Sequence, residues 1–112
     1  VMEEKLLGKI ASLRIGNGGY QGAMFGVSVS LSMNGSGVGD FKGAFDQSIK
    51  VTPNTKWTEA DRSRQFDDVM RWLDDQCRAA HVDDVMKLVG KPVEVTLEGN
   101  TLKSWRLLIE VL

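Results

Sequence analysis

From Ala23 to Met33 the chain alternates almost without error. Phe25, Val27, Val29, Leu31 and Met33 fall on one side, and Gly26, Ser28, Ser30 and Ser32 on the other. Successive side chains of a strand point to opposite faces, so this stretch reads as a β-strand with one dry face and one small, polar face. It leads into Asn34-Gly35-Ser36-Gly37-Val38-Gly39-Asp40-Phe41-Lys42-Gly43, a glycine-rich loop holding an acid and a base but no His or Cys. A short strand near Val38 to Phe45 follows.

The flanking segments complete a sheet. Leu7 to Ile15 is predicted as a first strand, with Ala11, Leu13 and Ile15 on one face, Gly16-Asn17-Gly18-Gly19 as its turn, and Tyr20 to Met33 as the strand that follows. Past Pro53, Thr58 has the character of a helix N-cap, with Glu59 and Asp61 in the first turn, where the helix dipole favours acids. The helix runs to about Ala80. Phe66, Val69, Met70, Leu73, Cys77 and Ala80 form its apolar stripe, and Asp67→Arg71, Arg71→Asp75 and Asp74→Arg78 are i,i+4 pairs on its other side. A second, short helix is expected over Val82 to Val89, ended by Gly90. Val93, Val95 and Leu97 then face one way. Glu98-Gly99-Asn100-Thr101 makes a hairpin, and the last strand carries Trp105, Leu107, Ile109 and Val111 on one side. Leu108 on its other side suggests that a second surface is covered. The expected fold is α+β: an antiparallel sheet of about five strands, in the order ββ β αα ββ, packed on one long and one short helix.

All 112 residues are read as one domain, long enough to bury a core without disulfides or metal. Ten of the 12 glycines lie at or before Gly43 and most charge lies after it, but neither half could easily bury a core of its own. The net charge of −1 argues against a generic nucleic-acid binder, which would show a basic excess, and equally against a heavily acidic DNA mimic. Cys77 is the single cysteine, which fits a reducing cytoplasm. No apolar run approaches the roughly 18 residues of a membrane span. The N-terminus lacks the basic and apolar regions of a signal peptide, and Val1 ahead of Met2 reads as an addition before the natural start.

Each chemical constellation has a structural counterpart. Successive free N–H groups around Gly35, Gly37 and Gly39 could cradle a phosphate beside Asp40 and Lys42, yet a strand rather than a helix follows, so neither nucleotide fingerprint fits; turn geometry alone accounts for such glycines. Cys77 and His81 have a spacing that suits a metal, but zinc takes three or four protein ligands and no other Cys or His exists. They read as a buried thiol beside a helix-end histidine, and no metal or cofactor is expected. Ser28, Ser30 and Ser32 are a strand's polar face, with no nucleophile-elbow motif around them. Asp40 and Glu94 would serve a paired-carboxylate hydrolase only if the fold brought them together. No catalytic residues are assigned, and the chain is not expected to be an enzyme. The doublets Asp67-Asp68, Asp74-Asp75 and Asp83-Asp84 read as a solvated helix face that also offers a surface to a basic partner. Trp72 lies off the main apolar stripe, where it either anchors a partner or packs under the Lys50–Trp57 connector. Trp57 and Trp105 are assigned to the core.

Gly8-Lys9-Ile10-Ala11-Ser12, Gly18-Gly19-Tyr20-Gln21-Gly22-Ala23, Gly37-Val38-Gly39-Asp40-Phe41, Gly90-Lys91-Pro92-Val93 and Ser104-Trp105-Arg106 together span most of the chain. Through them it resembles a group of short phage- and prophage-encoded proteins without a settled enzymatic function. The resemblance implies an accessory role in the cytoplasm of a bacterial host, and proteins of that context often block host defence by binding. The leading expectation is therefore an anti-CRISPR-like inhibitor that binds a host defence protein through Asp67, Asp68, Trp72, Asp74 and Asp75. The alternatives are a module that sequesters a signalling nucleotide through Gly35, Gly37, Gly39, Asp40 and Lys42, and a self-assembling phage subunit.

Overall fold

The computed structural model describes residues 2–112. Strands β1 (Glu3–Gly18), β2 (Met24–Met33) and β3 (Ser36–Phe45) precede helix α1 (Glu59–Ala80), and β4 (Pro92–Glu98) and β5 (Thr101–Leu107) follow it. All neighbours are antiparallel, in the spatial order β3-β2-β1-β4-β5. This is the expected α+β architecture.

β1 is shared by two halves of the sheet. Its residues from Gly8 onward pair with β2, and its residues up to Lys9 pair with β4. A bulge between Ile10 and Ser12 leaves Ala11 without a partner and bends the strand there. Gly8, at the changeover, leaves no room for a side chain: a Cβ would lie 2.4 Å from the Ser32 carbonyl oxygen. The bend curls the sheet until β3 and β5, its two edges, approach each other. α1 lies across the inner face. Ile10, Leu13, Val27, Val29, Leu31, Met33, Val93, Val95, Leu97 and Leu107 from the strands are buried with Leu73, Ala80 and Leu88. Each of these side chains other than Ala80 contributes on the order of 1.5–3 kcal/mol.

Several local expectations are corrected. β1 runs on to Gly18, and the turn is the 3-10 segment Tyr20–Gly22, entered through Gly19 at φ 67°. Val82 to Val89 is not an α-helix: Asp84 caps a single 3-10 turn, Val85–Leu88, whose Leu88 plugs the core. β5 stops at Leu107. Leu108 donates its N–H to the Pro92 carbonyl at 3.0 Å, β4 begins at that proline, and beyond it β5 has no ladder partner. Ile109–Val111 therefore forms a 3-10 turn and does not extend the face of Trp105 and Leu107. Trp57 is half-buried outside the main core cluster. It stacks on Phe45 at 5.0 Å and carries the Arg62 guanidinium at 4.7 Å on its ring. Arg62, itself buried, donates to the carbonyl of Asp46 at 2.6 Å and to that of Ile49, fastening the β3–α1 connector to the helix.

Candidate functional site

β3 decides where the predicted ligand residues go. Only Asn34 and Gly35 form a turn, with Gly35 at φ 82°; from Ser36 the chain is an edge strand in register with β2. The glycine-rich loop is thus corrected to a strand, and its glycines provide no run of consecutive free N–H groups. Val38, Asp40 and Lys42 lie opposite Leu31, Val29 and Val27, so they share the inner face, while Gly37, Gly39 and Phe41 lie opposite the serines on the outer face.

The curl brings Asp40 to β5. Trp105 donates its Nε1–H to Asp40 Oδ2 at 2.8 Å, and Asp40 Oδ1 accepts the Phe41 N–H at 2.9 Å. Lys42 Nζ stands 4.0 Å from Asp40 Oδ2 and 5.2 Å from the centre of the Trp72 ring. Trp72 in turn meets Trp105 edge to face, 5.7 Å between centroids. A cleft of about 490 Å³ opens between the β3 and β5 edges, lined among others by Asp40, Lys42, Trp72, Gln76, Ser104 and Trp105. Gln76 makes no side-chain hydrogen bond among the described residues, so it is free to meet a ligand; Ser104, opposite Thr96 on the other face from Trp105, borders the cleft at the β5 edge. Inward-pointing charges also shield an edge strand from pairing with another chain, and Asp40 and Lys42 serve that purpose whatever the cleft holds.

Asp40, Lys42 and Trp72, assigned from sequence to two different surfaces, belong to this one cleft. Trp105, assigned to the core, and Gln76, given no role, were missed. The one signal available was chemical: a half-buried indole N–H needs an acceptor. Gly35, Gly37 and Gly39 line neither the cleft's floor nor its walls.

The acidic helix face is different in kind. Asp67 pairs with Arg71 at 2.8 Å and Asp74 with Arg78 at 3.2 Å, whereas the expected Arg71–Asp75 pair is not formed. Asp68 and Asp75 have no ion-pair partner among the described residues; Trp72 lines the cleft, which none of the four acids does, and shares only the neighbouring depression with Asp68. Asp40 and Glu94 sit on opposite faces of the sheet, Glu94 beside Arg106 at 3.3 Å, so they do not converge on a substrate. Cys77 is half-buried, and burial, helped by Asp74, Asp84 and Asp83, pushes its thiol above the ordinary range. His81 ends α1 in the left-handed conformation at φ 57°. Among the described residues no three His, Cys, Asp or Glu side chains gather as a metal set, and no helix is long and apolar enough to cross a membrane.

No family model, no curated protein and no solved structure matches this chain.

Proposed function

We propose that this chain is a non-catalytic nucleotide-binding module whose site is the cleft between β3 and β5. The observation that carries the reading is the joining of Trp72, Trp105, Asp40 and Lys42 from three separate elements around one open cavity. An indole face stacks on any nucleobase, worth about 1–3 kcal/mol per base. Gln76 offers hydrogen bonds to a base edge, and Lys42 offers a cation to a phosphate. Asp40 acts by holding Trp105 in place.

The test is quenching of tryptophan fluorescence, with calorimetry, against mono-, di- and cyclic nucleotides. Saturable quenching is expected, and Lys42→Ala should weaken it about tenfold, the loss of one charge-assisted contact. No quenching and no heat at millimolar nucleotide would end this reading.

A second reading, a protein that binds and inhibits a host defence component, has one observation in its favour. Met70 is 66% exposed on α1 between Asp67 and Asp74, a combination that suits a protein contact. Charge reversal at Asp68 and Asp75 should abolish capture of a bacterial partner; capture that survives it removes this surface from consideration.

A further inference from the structure

The cleft is not isolated. Lys42 and Trp72 also line a second depression of about 560 Å³ between α1 and the edge of β3. Phe41 and Gly19 line both that depression and a third, of about 440 Å³, on the outer face of the sheet, where Ser12, Arg14, Ser28 and Ser30 contribute. The three hollows wrap one edge strand in a continuous path. Aromatic rings mark it in series: Trp105, Trp72, Phe41.

Both signs of charge line the path: Asp40 with Lys42 in the cleft, Asp68 with Lys42 in the middle hollow, and Arg14 in the outer one, whose one acid is the inward-facing Asp40. All four arginines of α1, Arg62, Arg64, Arg71 and Arg78, are ion-paired. On the outer face where β1 pairs with β2 and β2 with β3, the cations are Lys9 and Arg14, and neither has a carboxylate within ion-pair distance among the described residues. From Gly8 on, where β1 pairs with β2, the outward positions read from the strand registers hold Ser12, Ser28, Ser30, Ser32, Phe41 and glycines besides the two cations, and no Asp or Glu; Glu3 and Lys5 lie further along the same face, where β1 pairs with β4. A chain of net charge −1 thus carries one acid-free, cationic stretch of outer face, dotted with serine hydroxyls, where β1, β2 and β3 pair. Gly37 and Gly39 leave β3 bare there, and a Cβ at Gly39 would meet nothing closer than the Val29 carbonyl at 3.7 Å. Gln65 borders the middle hollow, and its side-chain oxygen is buried with no hydrogen-bond partner among the described residues. Two copies of this chain packed face to face would set Lys9 and Arg14 against their own kind, which disfavours self-association through this surface.

Building on the nucleotide reading of the cleft, we propose that the ligand is a single-stranded nucleic acid, one base seated in the cleft and its backbone passing over the edge of β3 onto the outer face. Successive aromatic platforms with cations between them suit a single strand, whose bases are free to stack, and do not suit a duplex, whose bases are already stacked.

Fluorescence anisotropy with labelled oligothymidylates of increasing length, against dTMP in the quenching assay, tests this. Affinity should rise with length until the path is filled, at about 4–8 nucleotides, and fall with salt with a log–log slope of about −1.5 to −2, as two or three phosphate contacts require. The double variant Lys9→Glu, Arg14→Glu should lower oligonucleotide affinity at least about tenfold and flatten the salt slope while leaving dTMP quenching unchanged, because both side chains lie outside the cleft. Both are exposed, and circular dichroism checks that the variant folds. Binding of dTMP with no gain from length would overturn the strand path and leave the nucleotide module standing. Absence of both would overturn both. Equal binding of duplex, or oligonucleotide affinity indifferent to the double variant, would overturn the path.

Discussion

Trp105 and Asp40 lie 65 positions apart on strands that share no ladder, yet one hydrogen bond of 2.8 Å joins them. It is charge-assisted and half-buried, and Asp40 keeps the Phe41 N–H and Lys42 as further neighbours. Trp105→Phe keeps the ring and removes the donor, so it should cost about 1–2 kcal/mol in urea denaturation. Asp40→Asn should cost less, because an amide oxygen can still accept. The sequence marks Trp105 only by its alternation with Leu107, which places it on the inner face without revealing its partner. Gly26 shows the same limit. From sequence it is one more small residue on a polar face, but a Cβ there would lie 2.0 Å from the Lys42 carbonyl oxygen, so the close approach of β2 and β3 depends on it.

Among the elements, α1 was the most legible, because its start is written in local chemistry. Thr58 Oγ1 accepts the Asp61 N–H at 3.1 Å and Asp61 returns the bond to the Thr58 N–H at 2.9 Å, a capping box. Thr58→Ala should cost about 1 kcal/mol in thermal or urea denaturation. The N–H of Thr58 first, then its hydroxyl and Arg64, hold the Asp61 carboxyl below its usual range. A carboxyl depressed in the folded state stabilises above its unfolded pKa, and that contribution fades as pH falls through the folded one. Asp61→Asn should therefore be less stable than the parent near neutrality, with the gap in denaturation midpoints closing as pH falls through and below the ordinary carboxylate range. The segment Val82–Val89 and the end of β5 were misread for a shared reason. Apolar spacing continues through both, but spacing does not report whether a backbone partner is present. Asp84 caps only one 3-10 turn, and the start of β4 at Pro92 ends the ladder available to β5.

At the scale of the whole molecule, a near-neutral composition conceals two unlike sides. The arginines of α1 are matched by acids on its own surface, while the outer face of β1–β2–β3 keeps Lys9 and Arg14 unmatched. Net charge excluded a basic protein but could not exclude a basic face, because it sums over a surface that folding divides. The period-2 alternation of β2, the 3.6-residue stripe and cap of α1 and the Gly99 hairpin are local patterns, and local patterns alone determined that this chain is an antiparallel sheet with one long helix. The cleft is different. Asp40 and Lys42 stand on one edge of the sheet, Trp105 on the other and Trp72 on the helix between them, and they meet only because the bulge at Ile10/Ser12 bends β1 and curls five strands until the two edges face each other. No periodicity within a single segment encodes the meeting of two sheet edges, so the tertiary structure alone assembled the candidate site.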